Sequence, residues 1–327
     1  MMIRRRGLFG LAALAMVGLT AMPATAADWP DGPITMIVPW GAGGGTDSTA
    51  RIIASLLERE LGVPVPVENR TGGSGVIGHT AIADAAPDGQ TIGIATLEIG
   101  TMHHLGLTQI DGASYTPIGL YNADPAAIFV RTNGDYTDLP ALLAALSEAP
   151  DSKFKASGSA QGGVNQLALA GMLEASGLPV SRVAWVPSEG AAPGLQDLAA
   201  GGVDIATASL PEGAALMQAG LIKPIAVFSN ARVEGAPDVP TFAEITGKDF
   251  ALGSWRGIVA PAGLSPEITA KLTEALGKVV TDPEYIAFMK DRGYAMQWTT
   301  GADFEAFMKQ SDEKLGETLR AVGLAAG

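Results

Sequence analysis

Ile34-Thr35-Met36-Ile37-Val38-Pro39-Trp40-Gly41-Ala42-Gly43-Gly44-Gly45-Thr46-Asp47-Ser48 is the stretch from which the rest of the chain is best read. Residues 34–38 are apolar and β-rich and predict a short strand; the glycines predict a turn; from 46 to 61 apolar residues recur at helical spacing. The unit is strand, loop, helix. A helix N-terminus offers backbone N–H groups that have no partner inside the helix, and glycine lets a ligand approach them closely. The loop is therefore a candidate anion receptor, and its plainer reading is a flexible turn capped by Thr46 or Asp47. Asp47 reads as a helix cap rather than a ligand contact, since its charge would repel a carboxylate. Trp40 reads either as core or as the wall of a cleft.

Outward from this unit the alternation continues. Residues 63–68 predict a strand, 76–85 a short helix, and 91–96 a strand entered through Pro87-Asp88-Gly89. The pattern restarts after Asp124-Pro125, with strands at 126–131, 154–157, 183–186, 203–209 and 223–228 and helices at 139–147, 164–176, 192–200 and 212–219. A third block opens at Pro237, with a strand at 255–260 and helices at 266–280, 283–292 and 302–322. Such alternation predicts an α/β fold whose parallel sheets are covered on both faces.

Arg4, Arg5 and Arg6 precede an apolar run at 7–22, followed by Ala24-Thr25-Ala26. That is the pattern of a secretory signal peptide cut after Ala26. The run falls short of the ~20 residues of a spanning helix and contains Gly10 and Gly18. The adjacent arginines admit the twin-arginine route as well as ordinary Sec export. Either route predicts the periplasm. Removing 26 of 327 residues leaves 301, more than a single core usually supports, so two lobes with an interlobe cleft are expected. Ligands of such folds bind at the C-terminal ends of strands.

The chain has no Cys, which excludes disulfides, thiolate metal sites, a Cys nucleophile and the lipid-attachment cysteine of a lipoprotein. A free, soluble protein is expected. Loss of the leader takes Lys+Arg from 21 to 18 against 34 Asp+Glu, and the formal charge from -13 to -16. A surface this acidic repels nucleic acid and anionic lipid. An anionic ligand must then be held by local dipoles or a few placed cations.

Glu68-Asn69-Arg70-Thr71-Gly72-Gly73-Ser74-Gly75 is a second, weaker glycine loop; Arg70 could grip a carboxylate, but Glu68 competes for it, and a structural pair is the favoured reading. The competing class is a Rossmann-like dinucleotide-dependent exported enzyme, because strand, glycine loop, helix and a second strand ending in Glu68 imitate that unit. Against it, the last glycine of the G-x-G-x-x-G pattern is Thr46, and no G-K-[ST] loop or G-x-S-x-G elbow is present. The three histidines are His79, His103 and His104. An adjacent pair diverges on a helix and alternates faces on a strand, so joint chelation is awkward; no metal and no cofactor are expected.

The chain resembles the substrate-binding proteins of tripartite tricarboxylate transporters, the Bug-type receptors, along nearly all of its mature length. The likeness rests on Pro33-Ile34 leading to Val38-Pro39 and Gly43-Gly44-Gly45-Thr46-Asp47, on Val67-Glu68-Asn69-Arg70 with 72–75, and on Ala86-Pro87-Asp88-Gly89. It continues in Val186-Pro187 with Gly190-Ala191-Ala192-Pro193, in Asp238-Val239-Pro240-Thr241, and in Ser254-Trp255 with Gly257 and Ala260-Pro261-Ala262-Gly263. Together their order and spacing are specific.

The resemblance implies a two-lobed, type II periplasmic-binding-protein fold, each lobe a mainly parallel sheet flanked by helices. Lobe 1 would comprise 27–124 and 234–327, lobe 2 125–233, with the hinge near 122–126 and 228–233. It implies a monomeric, non-enzymatic receptor that closes on a small carboxylate and hands it to integral-membrane transporter subunits. Carried over by residue, contacts would come from Trp40, Gly44, Gly45, Thr46 and Thr96 in lobe 1, and from Ser157, Ser159, Gly162 and Ser209 in lobe 2. The sequence departs from the family at Ser188-Glu189, where an aromatic and a Lys or Arg are common, at Gln166, where relatives often carry His, and at Arg256, where an aromatic is frequent. Glu98 and Glu189 add carboxylates to the expected cleft. Either they face solvent, or they receive the cationic end of an amino acid or other zwitterion.

Overall fold

The first unit forms as its sequence dictates: β1 (Thr35–Val38) runs into α1 (Gly45–Leu61). The computed structural model of the chain describes residues 29–326, and the expected leader lies outside them. There follow β2 (Val67–Asn69), α2 (Val76–Ala83), β3 (Thr91–Thr96), and β4 (Tyr115–Arg131), a strand of 17 residues. Next come α3 (Leu139–Glu148), β5 (Phe154–Ser157), α4 (Val164–Ala175), β6 (Val183–Trp185), α5 (Ala191–Ala200), β7 (Ile205–Ser209), α6 (Leu210–Gln218) and β8 (Ile222–Val227). The chain ends with α7 (Phe242–Thr246), β9 (Gly253–Pro261), α8 (Pro266–Thr281), α9 (Pro283–Arg292), β10 (Met296–Thr300) and α10 (Gly301–Ala321).

The strands make two sheets that share β4. The first runs β2-β1-β3-β9-β4-β10 and the second β8-β4-β7-β5-β6. β1 is parallel to β2 and β3, and β5 to β6 and β7, while β9 and β4 bring an antiparallel half to each sheet. Tyr115 to Pro125 pair with β9; from Ala126 onward the same strand pairs with β7 and β8.

Only the second half of β4 is expected from sequence, because Pro117, Gly119 and Asp124-Pro125 read as breakers. The strand tolerates them for a local reason. The ladder to β9 shifts register between Pro117 and Gly119 and again between Leu120 and Asn122, and irregular ladders are where a missing N–H costs least. Pro125 sits opposite Gly253, where β4 leaves the first sheet for the second. The elements α7 and β10 are also unanticipated; α7 carries the legible signature Thr241-x-x-Glu244, a capping box that forms in the structure.

Each sheet is covered on both faces, as an α/β fold requires. The first packs β1 residues Met36 and Val38 against Ile53 and Leu57 of α1 and Leu276 of α8, while its other face meets Ile82 of α2 and Phe304 and Met308 of α10. The second buries Leu142, Leu169 and Leu173 on one side and Leu195 and Leu198 on the other. Each such side chain contributes roughly 1.5–3 kcal/mol of apolar burial. Phe242, Phe250 and Phe228 pack edge to face within the second core, which draws the segment around α7 onto the second sheet.

Candidate functional site

The loops that follow β1, β3, β5, β6 and β7 meet between the lobes around a cavity of about 520 Å³, counted to its mouth. Of the residues expected from sequence, Trp40, Gly44, Gly45, Thr46, Thr96 and Glu98 line it from the first lobe, and Ser159 and Glu189 from the second. Ser157, Gly162 and Ser209 do not. Ser157 Oγ donates to the Val186 carbonyl; Ser209 is the N-cap of α6, bonded to Glu212; Gly162 N–H donates to Gln166 Oε1 and lies under Leu105.

Three helices begin at this cavity with a glycine N-cap that has no side chain of its own to cap them: α1 after Gly44, α4 after Gly163, where Glu98 takes the Val164 N–H, and α5 after Gly190. Elsewhere α3, α7, α8 and α9 are capped by the side chains of Asp138, Thr241, Ser265 and Asp282. Uncapped N-termini present unpaired N–H groups and the positive end of the helix dipole. Gly190 has φ +118, a conformation that other residues rarely adopt. Asp47 does not cap α1 from the N-cap position. It folds back from the first turn to accept from Gly43 N–H, Arg51 Nε and Asn69 Nδ2, and Asn69 also donates to the Trp40 carbonyl. Burial raises the Asp47 carboxyl, but the hydrogen bonds from Arg51, Gly43 and Asn69 outweigh it and hold it below its usual range. The second glycine loop thus braces the first. Arg70 is spent on Glu68 at the surface, 2.7 Å away.

The cation of the cavity is Arg256 on β9, 2% exposed, whose role sequence reasoning missed. Its Nη1 donates to Asn122 Oδ1 and Asp124 Oδ2, Nη2 to Glu212 Oε1, and Nε to Thr46 Oγ1, with the Tyr294 ring 5.8 Å below. Burial disfavours the guanidinium, but Glu212 and Asp124 outweigh it and keep it charged. Burial pushes Asp124 up, opposed by Arg256 and the Ala295 N–H. With both acids ionised, this cluster carries a net charge of about -1, so Arg256 organises the wall without adding positive charge to the site. A Cβ on Gly45 would stand 2.8 Å from both Arg256 Nη2 and Glu212 Oε1, so a side chain here would have to push that buried pair aside. Sequence reasoning also missed Asn165, Ser254 and Glu212 in the lining; Ser254 Oγ is buried with no hydrogen-bond partner among the described residues.

Glu98 lies opposite, 4% exposed, on the turn after β3. Its Oε1 accepts from Val164 N–H at 3.2 Å, and its Oε2 is 2.6 Å from Thr96 Oγ1. Trp40 Nε1 donates to the same hydroxyl at 3.2 Å, and His79 Nε2 lies 3.2 Å from it, while His79 Nδ1 is 2.8 Å from the Gly75 carbonyl. Burial raises the Glu98 carboxyl, against Thr96, Val164 and Arg256, and burial pulls His79 down to about 4. Glu189 is exposed at the mouth, and its carbonyl accepts from Gly41 N–H across the cleft at 3.1 Å.

His103 and His104 fall in a run of turns, neither helix nor strand, and their rings converge: both Nε2 atoms reach Asp312 Oδ1, at 3.0 and 2.9 Å. Among the described residues this is the one group of metal-ligand type whose ligand atoms come within 4.8 Å of one another, and it lies outside the cavity lining.

Two α/β lobes closed on uncapped helix N-termini define a solute-binding receptor of the periplasmic-binding-protein fold. The chain belongs to the tripartite tricarboxylate transporter family receptors, TctC, whose family model matches residues 49–324. A UPF0065 protein of Pseudomonas sp. (strain P51) is 31% identical over 293 residues, 89% of this chain and 86% of that one. The crystal structure of a TctC solute-binding protein from Polaromonas, without ligand, is 30% identical, covers 90% of this chain and 99% of its own, and superposes with a TM-score of 0.66. A protein of R. palustris solved with adipate is 27% identical, covers 91% and 99%, and reaches 0.84.

Proposed function

We propose that the chain is a periplasmic receptor, not an enzyme, that closes on a small carboxylate and delivers it to the membrane subunits of a tripartite transporter. The observation that carries this is the convergence of the uncapped N-termini of α1, α4 and α5, from both lobes, on one cavity. Such termini bind anions without a cation of their own. The family description supports the transporter partner, and the adipate of the R. palustris protein, a dicarboxylate, supports the ligand class. No helix among the described residues is long and apolar enough to cross a membrane. A dinucleotide enzyme fits less well. Glu68, which would have to hold a ribose, is exposed, paired with Arg70 and outside the cavity lining.

Closure would run about the β4–β9 pair near Asp124–Ala126 and Gly253, with lobe 2 taken as 125–252 because Phe242 and Phe250 pack on its core.

The test is calorimetric titration and thermal shift of the chain from Ala27 onward with adipate, succinate, citrate, benzoate, single amino acids and nicotinamide dinucleotides. Saturating heat with one carboxylate and a raised Tm is expected, since ligand binding to the native state stabilises by mass action. A response to a dinucleotide alone would overturn the receptor reading.

A further inference from the structure

The hydrogen bonds around Thr96 account for every proton at the floor of the cavity. The Gly75 carbonyl can only accept, so His79 Nδ1, 2.8 Å away, carries a hydrogen. A fully buried imidazole with no acid touching it stays neutral, so its Nε2 is a bare acceptor. The atom facing that lone pair is Thr96 Oγ1, at 3.2 Å, and a hydroxyl has one hydrogen to give. Given to His79, that hydrogen is not available to Glu98 Oε2, 2.6 Å away, which would otherwise accept it. The two lone pairs of Thr96 Oγ1 are then filled by Trp40 Nε1–H, at 3.2 Å, and by whatever lies in the 2.6 Å contact to Glu98 Oε2. That contact holds a proton only if Glu98 supplies it. The other oxygen of Glu98 behaves as the carbonyl of an acid should, accepting from Val164 N–H.

We propose that Glu98 stands in the cleft as a neutral carboxylic acid, its proton fixed through Thr96 to His79, and that the cleft thereby admits a carboxylate whose remainder bears no cation. The proton assignment stands on the hydrogen bonds and on the burial of His79; the ligand preference rests on the carboxylate reading above. The groups facing Glu98 are Arg256 on β9, already neutralised by Asp124 and Glu212, the α4 N-terminus, His79 on α2 behind Thr96, and Glu189 at the mouth. Arg256 and the α4 N-terminus favour the anion; the other two and burial favour the acid. The alternative proton placement, imidazolium at His79 and carboxylate at Glu98, would put a charge on the fully buried imidazole. With Glu98 neutral, the uncapped N-termini meet an incoming carboxylate without a competing charge at the floor. An ammonium group at the floor would find no counter-ion in Glu98.

Two measurements test this separately. Glutamine at position 98 keeps both hydrogen bonds of the acid, with Oε1 accepting from Val164 and Nε2 donating to Thr96, but cannot ionise. Melting curves of the wild type and Glu98→Gln without ligand should coincide near pH 5, and the variant should become increasingly the more stable as pH rises to 8. A variant less stable throughout, or 13C titration of Glu98 showing the carboxylate at pH 7, overturns the assignment. The second measurement compares succinate with aspartate, the same skeleton with and without an ammonium. The wild type should bind succinate at least about tenfold more tightly. A preference for aspartate that Glu98→Gln abolishes overturns the selectivity. Silence with both probes counts against the carboxylate reading of the cleft and leaves the proton to be decided by the melting curves.

Discussion

Arg256 Nη2 lies 2.9 Å from Glu212 Oε1, although β9 belongs to the first lobe and α6 to the second. On the closure proposed above, the pair would form only as the lobes meet, and Asp124 would be left to neutralise the guanidinium when they part. Glu212→Gln should therefore loosen the closed form without stranding a charge. The expected outcome is about tenfold weaker binding, about 1.4 kcal/mol, and a larger radius of gyration by small-angle scattering. Unchanged scattering and affinity would remove Glu212 from the closing mechanism.

Gly44 and Gly45 are neighbours with different tolerances. A Cβ at 45 meets Arg256 and Glu212 at 2.8 Å, whereas at 44 the nearest atom is the Gly41 carbonyl oxygen at 3.6 Å. Gly45→Ala should cost about 1–3 kcal/mol by urea denaturation. Gly44→Val should keep the wild-type Tm and lose ligand affinity, because its side chain stands in the cavity.

Thr46 reads from sequence as a ligand contact, but its hydroxyl accepts from Arg256 Nε at 3.1 Å. Thr46→Ala leaves a buried charged donor unpaired and should cost roughly 1–3 kcal/mol of stability. Thr46→Ser should restore it. The check is the denaturation midpoint of both variants.

His79 is drawn from 6.5 down to about 4 by burial. The unfolded chain takes up a proton first as pH falls, so the stability tied to neutral His79 is complete above about 6.5 and is lost on descent toward 4, on the order of 3 kcal/mol in all. Glu98, raised by burial, runs the other way, losing stability as pH rises above its unfolded value. The two partly cancel in the wild type. Glu98→Gln should expose the His79 limb alone, as a steeper fall in Tm between pH 6.5 and 4.5.

Most of the architecture was written locally. The strand-loop-helix around Trp40 to Ser48, the later alternation and the position of the cleft at strand ends follow from periodicity and glycine. What local reading could not show is how residues far apart in sequence share a bond. Arg256 finds Thr46 and Glu212 only because β9 is inserted between β3 and β4, a pairing that no nearby residue announces. Ser157 and Ser209 sit at strand ends as a ligand contact should, yet backbone and cap claim their hydroxyls. His103 and His104 converge because turns obey neither of the two periodicities from which their divergence was argued.

The continuity of β4 has a mechanical consequence. One strand is hydrogen-bonded into both sheets, and its ladders are irregular on either side of the crossing, at Leu120/Asn122 and at Ile128/Phe129. Irregular ladders take up extra twist. The lobes are thus coupled as two plates on a torsion bar rather than as two weights on a string. On the closure proposed above, opening would twist this strand beside β9, and the empty receptor would swing through a narrower arc than slack linkers permit.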